Sequence, residues 1–330
     1  DDGTKNFNLH ACLFDTVPDE LAALFEVHKE EEEDIGDIQR MLDKFEMKEK
    51  RITFEPLKPG SNGLREFKAI AQFATILNDN YKPTSVQEIR CRDKEVEAIW
   101  ISLSRKTKAN VMLVGKPGVG KTAIIEEMAR QIMTCTCPEH FKKYYVISLS
   151  VNGVVAGTKY RGDFEAKMEN LSKFIDLNPN VILFIDEVHQ IVGAGKAEGS
   201  IDIATVLKPI LARDGVKIIG ATTTDEYAAI SGDGALARRF DTHIVKEVDL
   251  AAVHDMCHEK INSLAKFHDI TITSKDISSV IMLADKAMKN RAFPDKLLDL
   301  IDFGMAKQKV LKKKAFDVDV VREHVKAIVA

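Results

Sequence analysis

Two pairs of residues in this chain are of the types that handle a polyphosphate: Lys121-Thr122 and Asp186-Glu187. The first pair ends the run Gly115-Lys116-Pro117-Gly118-Val119-Gly120-Lys121-Thr122, which has the spacing of a P-loop. Gly115, Gly118 and Gly120 are expected to take positive φ, which turns backbone N–H groups inward on the phosphates. A helix opening at that point adds the partial positive charge of its N-terminus. The expected cradle runs from Gly115 through Pro117, Gly118, Val119 and Gly120 to Ala123. Lys121 reaches the β and γ phosphates, and Thr122 holds Mg²⁺ through its hydroxyl. Asp186 and Glu187 follow the apolar run Val181–Ile185, expected to be a strand beside the P-loop strand. Asp186 then completes the Mg²⁺ site, and Glu187 takes a proton from an attacking water.

Strands and helices must present these groups from a rigid frame. Val111–Val114 reads as a buried strand, and Ile124, Ile125, Met128 and Ile132 beyond it have helical spacing. Tyr144–Leu149, Val181–Ile185, Val216–Gly220 and Thr242–Val245 read as further strands. Strands alternating with helices imply an α/β fold, here a parallel five-stranded sheet covered on both sides. A helical pattern covers Leu64 to Leu77, and another carries Val96, Ile99, Trp100 and Leu103. Beyond Asp249 only helices are expected: 251–267, one capped by Thr273 with Asp276, one starting at Pro294, and 318–328. The chain therefore divides into an acidic extension at 1–65, partly helical or disordered, a large α/β nucleotide-binding domain at 66–248, and a small helical lid at 249–330.

The 330 residues are 45% hydrophobic, ample for a core, and no apolar run approaches the length of a membrane span. Five cysteines without a leader pattern point to a reducing, cytoplasmic compartment. Cys135-Thr136-Cys137 with His140 is expected to be a surface loop, and His254 and His258 an ordinary helix face, in preference to metal sites. The start at Asp1 is read as processed or truncated. Residues 1–60 carry 16 acidic and 8 basic side chains against 35 and 39 in the remainder, so nothing in the charge favours nucleic acid. The acidic run 30–34 precedes a helical stripe of Ile35, Ile38, Met41, Leu42 and Phe45. It reads either as a solvated linker or as a docking segment for an adaptor or a second ring.

Further motifs follow in series: Gly157-Thr158-Lys159-Tyr160-Arg161-Gly162-Asp163-Phe164-Glu165, Ile185-Asp186-Glu187-Val188-His189, Gly193-Ala194-Gly195, Leu207-Lys208-Pro209, Gly220-Ala221-Thr222-Thr223, Leu236-Ala237-Arg238-Arg239-Phe240 and Pro294-Asp295-Lys296. Together, over residues 85–329, they closely resemble the first ATPase module of the Clp-type, heat-shock 100 class of AAA+ unfoldases. The resemblance implies Mg-ATP hydrolysis by a homo-hexameric ring that threads a polypeptide. It implies Glu187 and Lys121 as catalytic groups, Thr223 as the sensor that orients the water, and Arg238 and Arg239 as fingers reaching a neighbour's nucleotide. Lys159, Tyr160 and Arg161 correspond to the substrate-gripping pore loop, and Gly193–Gly199 to a second one. Arg291, Pro294 and Asp295 stand beside the nucleotide, with a hinge near Asp249. Three features depart from the family. Arg90 and Cys91 stand where an apolar residue and a glycine seat the adenine, Thr205 replaces an asparagine, and one module is present. The alternatives are a motor or loader acting on nucleic acid, and a binding module without turnover.

Overall fold

The computed structural model describes residues 64–81, 90–156, 161–190, 210, 213, 215–232 and 234–329. The expectations for the acidic extension, Lys159, Tyr160, the loop at 193–199, Thr205 and the segment at 207–209 lie outside the described residues, as does the side chain of Arg161.

Among the described residues six strands form one sheet: β1 (Ala74–Ile76), β2 (Asn110–Val114), β3 (Tyr145–Leu149), β4 (Val181–Ile185), β5 (Lys217–Thr222) and β6 (Phe240–Ile244). Their order is β1-β3-β4-β5-β2-β6. Strands β2 to β6 are mutually parallel, while β1 pairs antiparallel with β3, Ala74 opposite Leu149. The five expected strands are present and parallel, and the correction is a sixth, antiparallel strand, β1, which makes the sheet mixed.

The added strand comes from the stretch expected to be helical. Leu64 to Leu77 instead forms a 3-10 turn at Phe67–Ala69, then β1, and a second 3-10 turn, Leu77–Asn80, follows. Its hydrogen bonds go to β3, distant in sequence. Ser150 N donates to Phe73 O, and the Asn78 amide bonds Val146 N at 2.7 Å and Tyr144 O at 3.2 Å. Pairing with a distant strand outweighs the local apolar spacing. A second correction concerns β4, which does not adjoin the P-loop strand; β5 lies between them.

The helices among the described residues are α1 (Asp93–Leu103), α2 (Lys121–Met133), α3 (Val151–Val155), α4 (Arg161–Leu177), α5 (Tyr227–Ser231), α6 (Gly234–Ala237), α7 (Leu250–His268), α8 (Ser274–Ala287), α9 (Asp295–Val310) and α10 (Val318–Val329). Because side chains alternate along a strand, β2 feeds two cores. Val111 and Leu113 pack with Ile124, Ile125 and Met128 of α2 and with Val96 and Ile99 of α1. Met112 and Val114 belong to the opposite cluster, which holds Phe164, Met168, Leu171 and Phe174 of α4. Covered on both faces, β2 and β4 are buried at every position, which is why they read as unbroken apolar runs.

Helices α7 to α10 build a third cluster from Val253, Ile261, Val280, Leu297, Leu300, Ile301, Val321 and Val325. Helix α8 opens on the expected capping box: Asp276 N donates to Thr273 Oγ1 at 3.2 Å, and Thr273 N to Asp276 Oδ2 at 3.0 Å.

Candidate nucleotide-binding site

The loop after β2 leaves the sheet at the carboxyl ends of the parallel strands, where ligands of open α/β folds sit. Gly118 and Gly120 have φ of 77° and 95°, as expected. Gly115 is not among the positive-φ glycines, which corrects that part of the reading. Its reason to be glycine is close approach: a Cβ there would lie 2.5 Å from the carbonyl oxygen of Val245, just past β6. The Lys121 ammonium donates to Gly115 O at 2.8 Å and Lys116 O at 3.2 Å. Burial pushes this ammonium below the usual lysine range, against the opposing pull of the Asp186, Glu226 and Glu187 carboxylates.

Thr122 donates its hydroxyl to Asp186 Oδ2 at 2.7 Å, which joins the first turn of α2 to the end of β4. The other carboxylate oxygen of Asp186 accepts from Glu187 N at 2.9 Å. Glu187 itself has φ of 48°, and the side-chain amide of Gln190 donates to its Oε2. The intervening strand stitches the two acidic and basic edges together. Gly115 N bonds Thr222 O at 3.3 Å and Val188 N bonds Ala221 O at 2.9 Å. One hydroxyl and one carboxylate are hard oxygen donors, the set Mg²⁺ takes when phosphates and water supply its other ligands. Among the described residues no group of three or more His, Cys, Asp or Glu could hold a metal by itself. His254 and His258 have ring centroids 6.3 Å apart; His140 bonds Ser104 Oγ, and Cys137 is buried where a surface loop was expected.

Thr223, next along from β5, donates its hydroxyl to Glu226 Oε2 at 2.6 Å. His189 Nδ1 lies 3.0 Å from the same oxygen and 3.2 Å from Thr222 Oγ1. From the lid, Asp295 N reaches Gly118 O at 3.3 Å, and a Cβ on Gly118 would stand 2.5 Å from that of Asp295. Pro294 is the N-cap of α9, one residue before the helix proper. Arg291 is gripped by Asp295 at 2.7 Å and Asp299 at 2.6 Å, and these bonds raise its pKa further.

Arg238 and Arg239 are exposed at the end of α6, with Arg238 Nε bonded to Gly234 O at 2.7 Å. They precede β6, whose first residue, Phe240, pairs with Asn110 at the start of β2. The pair therefore enters the sheet at the end opposite the P-loop, about 13 Å away along the strand at the usual rise per residue.

Several residues around the site escaped the motif reading. Arg92, 2% exposed, donates to Val119 O at 2.8 Å and Glu95 Oε1 at 2.7 Å, so it props the P-loop from behind. Its neighbours reach the lid instead: Cys91 Sγ lies 3.9 Å from Ala252 O, and Arg90 lies 3.9 Å from Glu259. Glu247 accepts from Phe293 N at 2.8 Å and pairs with buried Lys296 at 3.2 Å. Glu226 was also missed, although Thr223-x-x-Glu226 before a helix is a capping pattern that could have drawn attention to it, and His189 stood in a motif without a role of its own.

The model of the ATPase family associated with various cellular activities (AAA) matches residues 111–248, and an AAA lid domain model matches residues 250–329. The chaperone protein ClpB of Oceanobacillus iheyensis is 43% identical over 222 residues, which span 67% of this chain and 27% of that protein. The ATP-dependent Clp protease ATP-binding subunit ClpC of Staphylococcus aureus is 41% identical over 251 residues, 75% of this chain and 30% of that one. The chain thus spans under a third of the length of these curated relatives. Among solved structures, a closed-state reconstruction of Hsp104 with ATPγS and FITC casein superposes with a TM-score of 0.71 at 31% identity. It covers 79% of this chain and 45% of that one. The S. cerevisiae Hsp104–ADP complex gives 0.67 at 32% identity, covering 73% and 34%. With a P-loop, an acidic β4 end and a helical lid following one another, the chain belongs to the Clp/Hsp100 group of AAA+ ATPases, a nucleotide-binding family.

Proposed function

We propose that this chain is the ATP-hydrolysing module of a protein unfoldase, working as a homo-hexameric ring that threads polypeptide through its pore. The observation that carries the reading is the Thr122–Asp186 bond of 2.7 Å beside a P-loop lysine, since it joins the two halves of a Mg-ATP site. Thr122 and Asp186 would hold Mg²⁺, which would supply charge neutralisation at the phosphates. Lys121 leaves its carbonyl partners for the phosphates, and the first N–H groups of α2, from Lys121 to Ala123, are offered to the same oxygens. Glu187 accepts the proton of the attacking water, which Thr223 orients. Arg291, Pro294 and Asp295 carry the state of the site into the lid.

Arg238 and Arg239 act on a neighbour's nucleotide. Their place at the far end of β6 supports this, because they stand away from the P-loop of their own chain. A contact in which one subunit's arginines serve the next subunit's site is heterologous, and closing it makes a ring. A guanidinium suits the task because it stays charged and spreads its donors over the transferring oxygens. Tyr160, between Lys159 and Arg161, grips the substrate through aromatic contact area that is tolerant of sequence. The relatives' names describe a chaperone and a protease subunit, and one Hsp104 structure holds casein, which favours polypeptide over nucleic acid as cargo. Cys91, Cys135, Cys137 and Cys257 are free thiols, in keeping with a reducing, cytoplasmic setting, and residues 1–65 are left to engage an adaptor or second ring.

A Glu187→Gln variant tests the reading. It should bind ATP, fail to hydrolyse it and retain polypeptide substrates on purification, with capture lost in Glu187→Gln/Tyr160→Ala. Recovery of nucleic acid alone would sink the unfoldase reading.

A further inference from the structure

A threonine hydroxyl has one proton to give and two lone pairs to receive. At Thr223 the proton is committed, because Oγ1 donates to Glu226 Oε2 at 2.6 Å. One lone pair faces Glu226 N at 3.3 Å. A single acceptor position is left. We infer that Glu226 is a positioning residue for ATP hydrolysis: by holding the Thr223 proton it makes that hydroxyl an acceptor only. This is the polarity that accepts a hydrogen bond from the attacking water, and it denies Thr223 the alternative of donating to a phosphate oxygen.

His189 holds Glu226 in turn. Its Nδ1 lies 3.0 Å from Glu226 Oε2 and 3.2 Å from Thr222 Oγ1, so the oxygen that takes the Thr223 proton is pinned from a second side. His189 stands two residues beyond Glu187, and Thr222 ends β5, so the network joins the edges of both strands that flank the hydrolysis centre. Glu226 also acts on Lys121, together with Asp186 and Glu187, which puts its carboxylate in the field of the P-loop ammonium. The competing account is a helix cap, since Thr223-x-x-Glu226 leads into α5, although the N-cap of that helix is Glu226 and carries no side-chain cap hydrogen bond. In a capping box the glutamate carboxylate reaches back to the N-cap backbone N–H. Thr273 and Asp276 show that bond at 3.0 Å, whereas among the described residues Thr223 N makes none to Glu226, which takes the threonine hydroxyl alone.

The inference rests on the reading of Thr223 as the water-orienting sensor, and steady-state ATP turnover by the 330-residue chain separates the two. The variants are Thr223→Ala, Glu226→Ala, Glu226→Gln and the double Thr223→Ala/Glu226→Ala. Glu226→Ala should lower kcat by about tenfold or more, the scale of a misplaced catalytic group. KM for ATP should stay within about twofold, because the lost interaction belongs to the transition state. Glu226→Gln keeps an acceptor oxygen and should retain most of the turnover, with a melting temperature matching that of Glu226→Ala. The double variant should turn over no more slowly than Thr223→Ala, since Glu226 acts through that hydroxyl. Wild-type kcat in Glu226→Ala with Thr223→Ala impaired, or two losses that multiply in the double variant, would overturn the inference and leave the sensor reading intact. Wild-type turnover in Thr223→Ala would remove the sensor reading, and the inference with it.

Discussion

Removing either member of the Lys296–Glu247 pair should loosen the lid, and burial makes the two losses unequal. The pair is 3.2 Å apart, with the lysine side chain 3% exposed and the glutamate 31%. In Glu247→Ala the ammonium stays buried, 3.9 Å above the Phe293 ring and 3.5 Å from Met288 O, with no anion beside it. The Phe293 N–H also loses its 2.8 Å acceptor. Stranding a buried charge in this way costs about 3–5 kcal/mol. In Lys296→Met the stem is replaced in kind, and the carboxylate left behind still accepts from Phe293 and can turn to water. The cost is then nearer that of one charge-assisted hydrogen bond, about 1.5–3 kcal/mol. Glu247→Ala should therefore be the more damaging change, by about 1–2 kcal/mol from the difference of those ranges. Hydrogen exchange along α9, which reports the opening of that element alone, is the appropriate assay in a chain of more than one cluster. Lys296→Met costing α9 as much protection as Glu247→Ala would refute the argument. The effect should reach the site as well: Glu247 is two residues past Val245, whose carbonyl abuts Gly115, so both variants should bind ATP more weakly.

Other outcomes follow from the same geometry. Gly118→Ala places a methyl 2.5 Å from Asp295 Cβ at a φ of 77°, and should weaken ATP binding and destabilise the chain by about 1–3 kcal/mol, measured by titration and by denaturant melting. Arg92→Met removes the donor to Val119 O and should raise KM for ATP, while Arg92→Lys, which has no planar fork to serve both Val119 and Glu95, should recover only part of the affinity. Burial pushes the Cys137 thiol up to about 11 and Cys257 up to about 12, whereas Cys91 is exposed. Iodoacetamide at about pH 8 should therefore alkylate Cys91 before Cys137 and Cys257, which stay unmodified until the chain unfolds, as read by peptide mass mapping.

The parts legible in the sequence are those specified locally. The P-loop and the Asp186-Glu187 pair were visible because each follows a strand buried on both faces, which leaves an unbroken apolar signature. The Thr273 cap was visible because all its partners lie within one turn. What was misread depended on distant partners. The stretch from Leu64 to Leu77 has helical spacing, but its hydrogen bonds go to β3, which converts three of its residues into an antiparallel edge. Gly115 carries the same letter as Gly118 for a different reason, close contact with Val245 in place of a left-handed backbone. Arg92, Glu226 and Glu247 look like ordinary surface charges in the sequence; only the fold sets them against Val119, Thr223 and Lys296.

The central claim is that Lys121 captures ATP and Glu187 hydrolyses it, and binding and turnover measured side by side test it most directly. Lys121→Ala should lose ATP binding and turnover together, because the lysine serves the phosphates in the ground state. Glu187→Gln should bind ATP as the wild type does and turn over at least about a hundredfold more slowly, the scale of a lost general base. Wild-type hydrolysis in Glu187→Gln, or undiminished ATP binding in Lys121→Ala, would contradict the account.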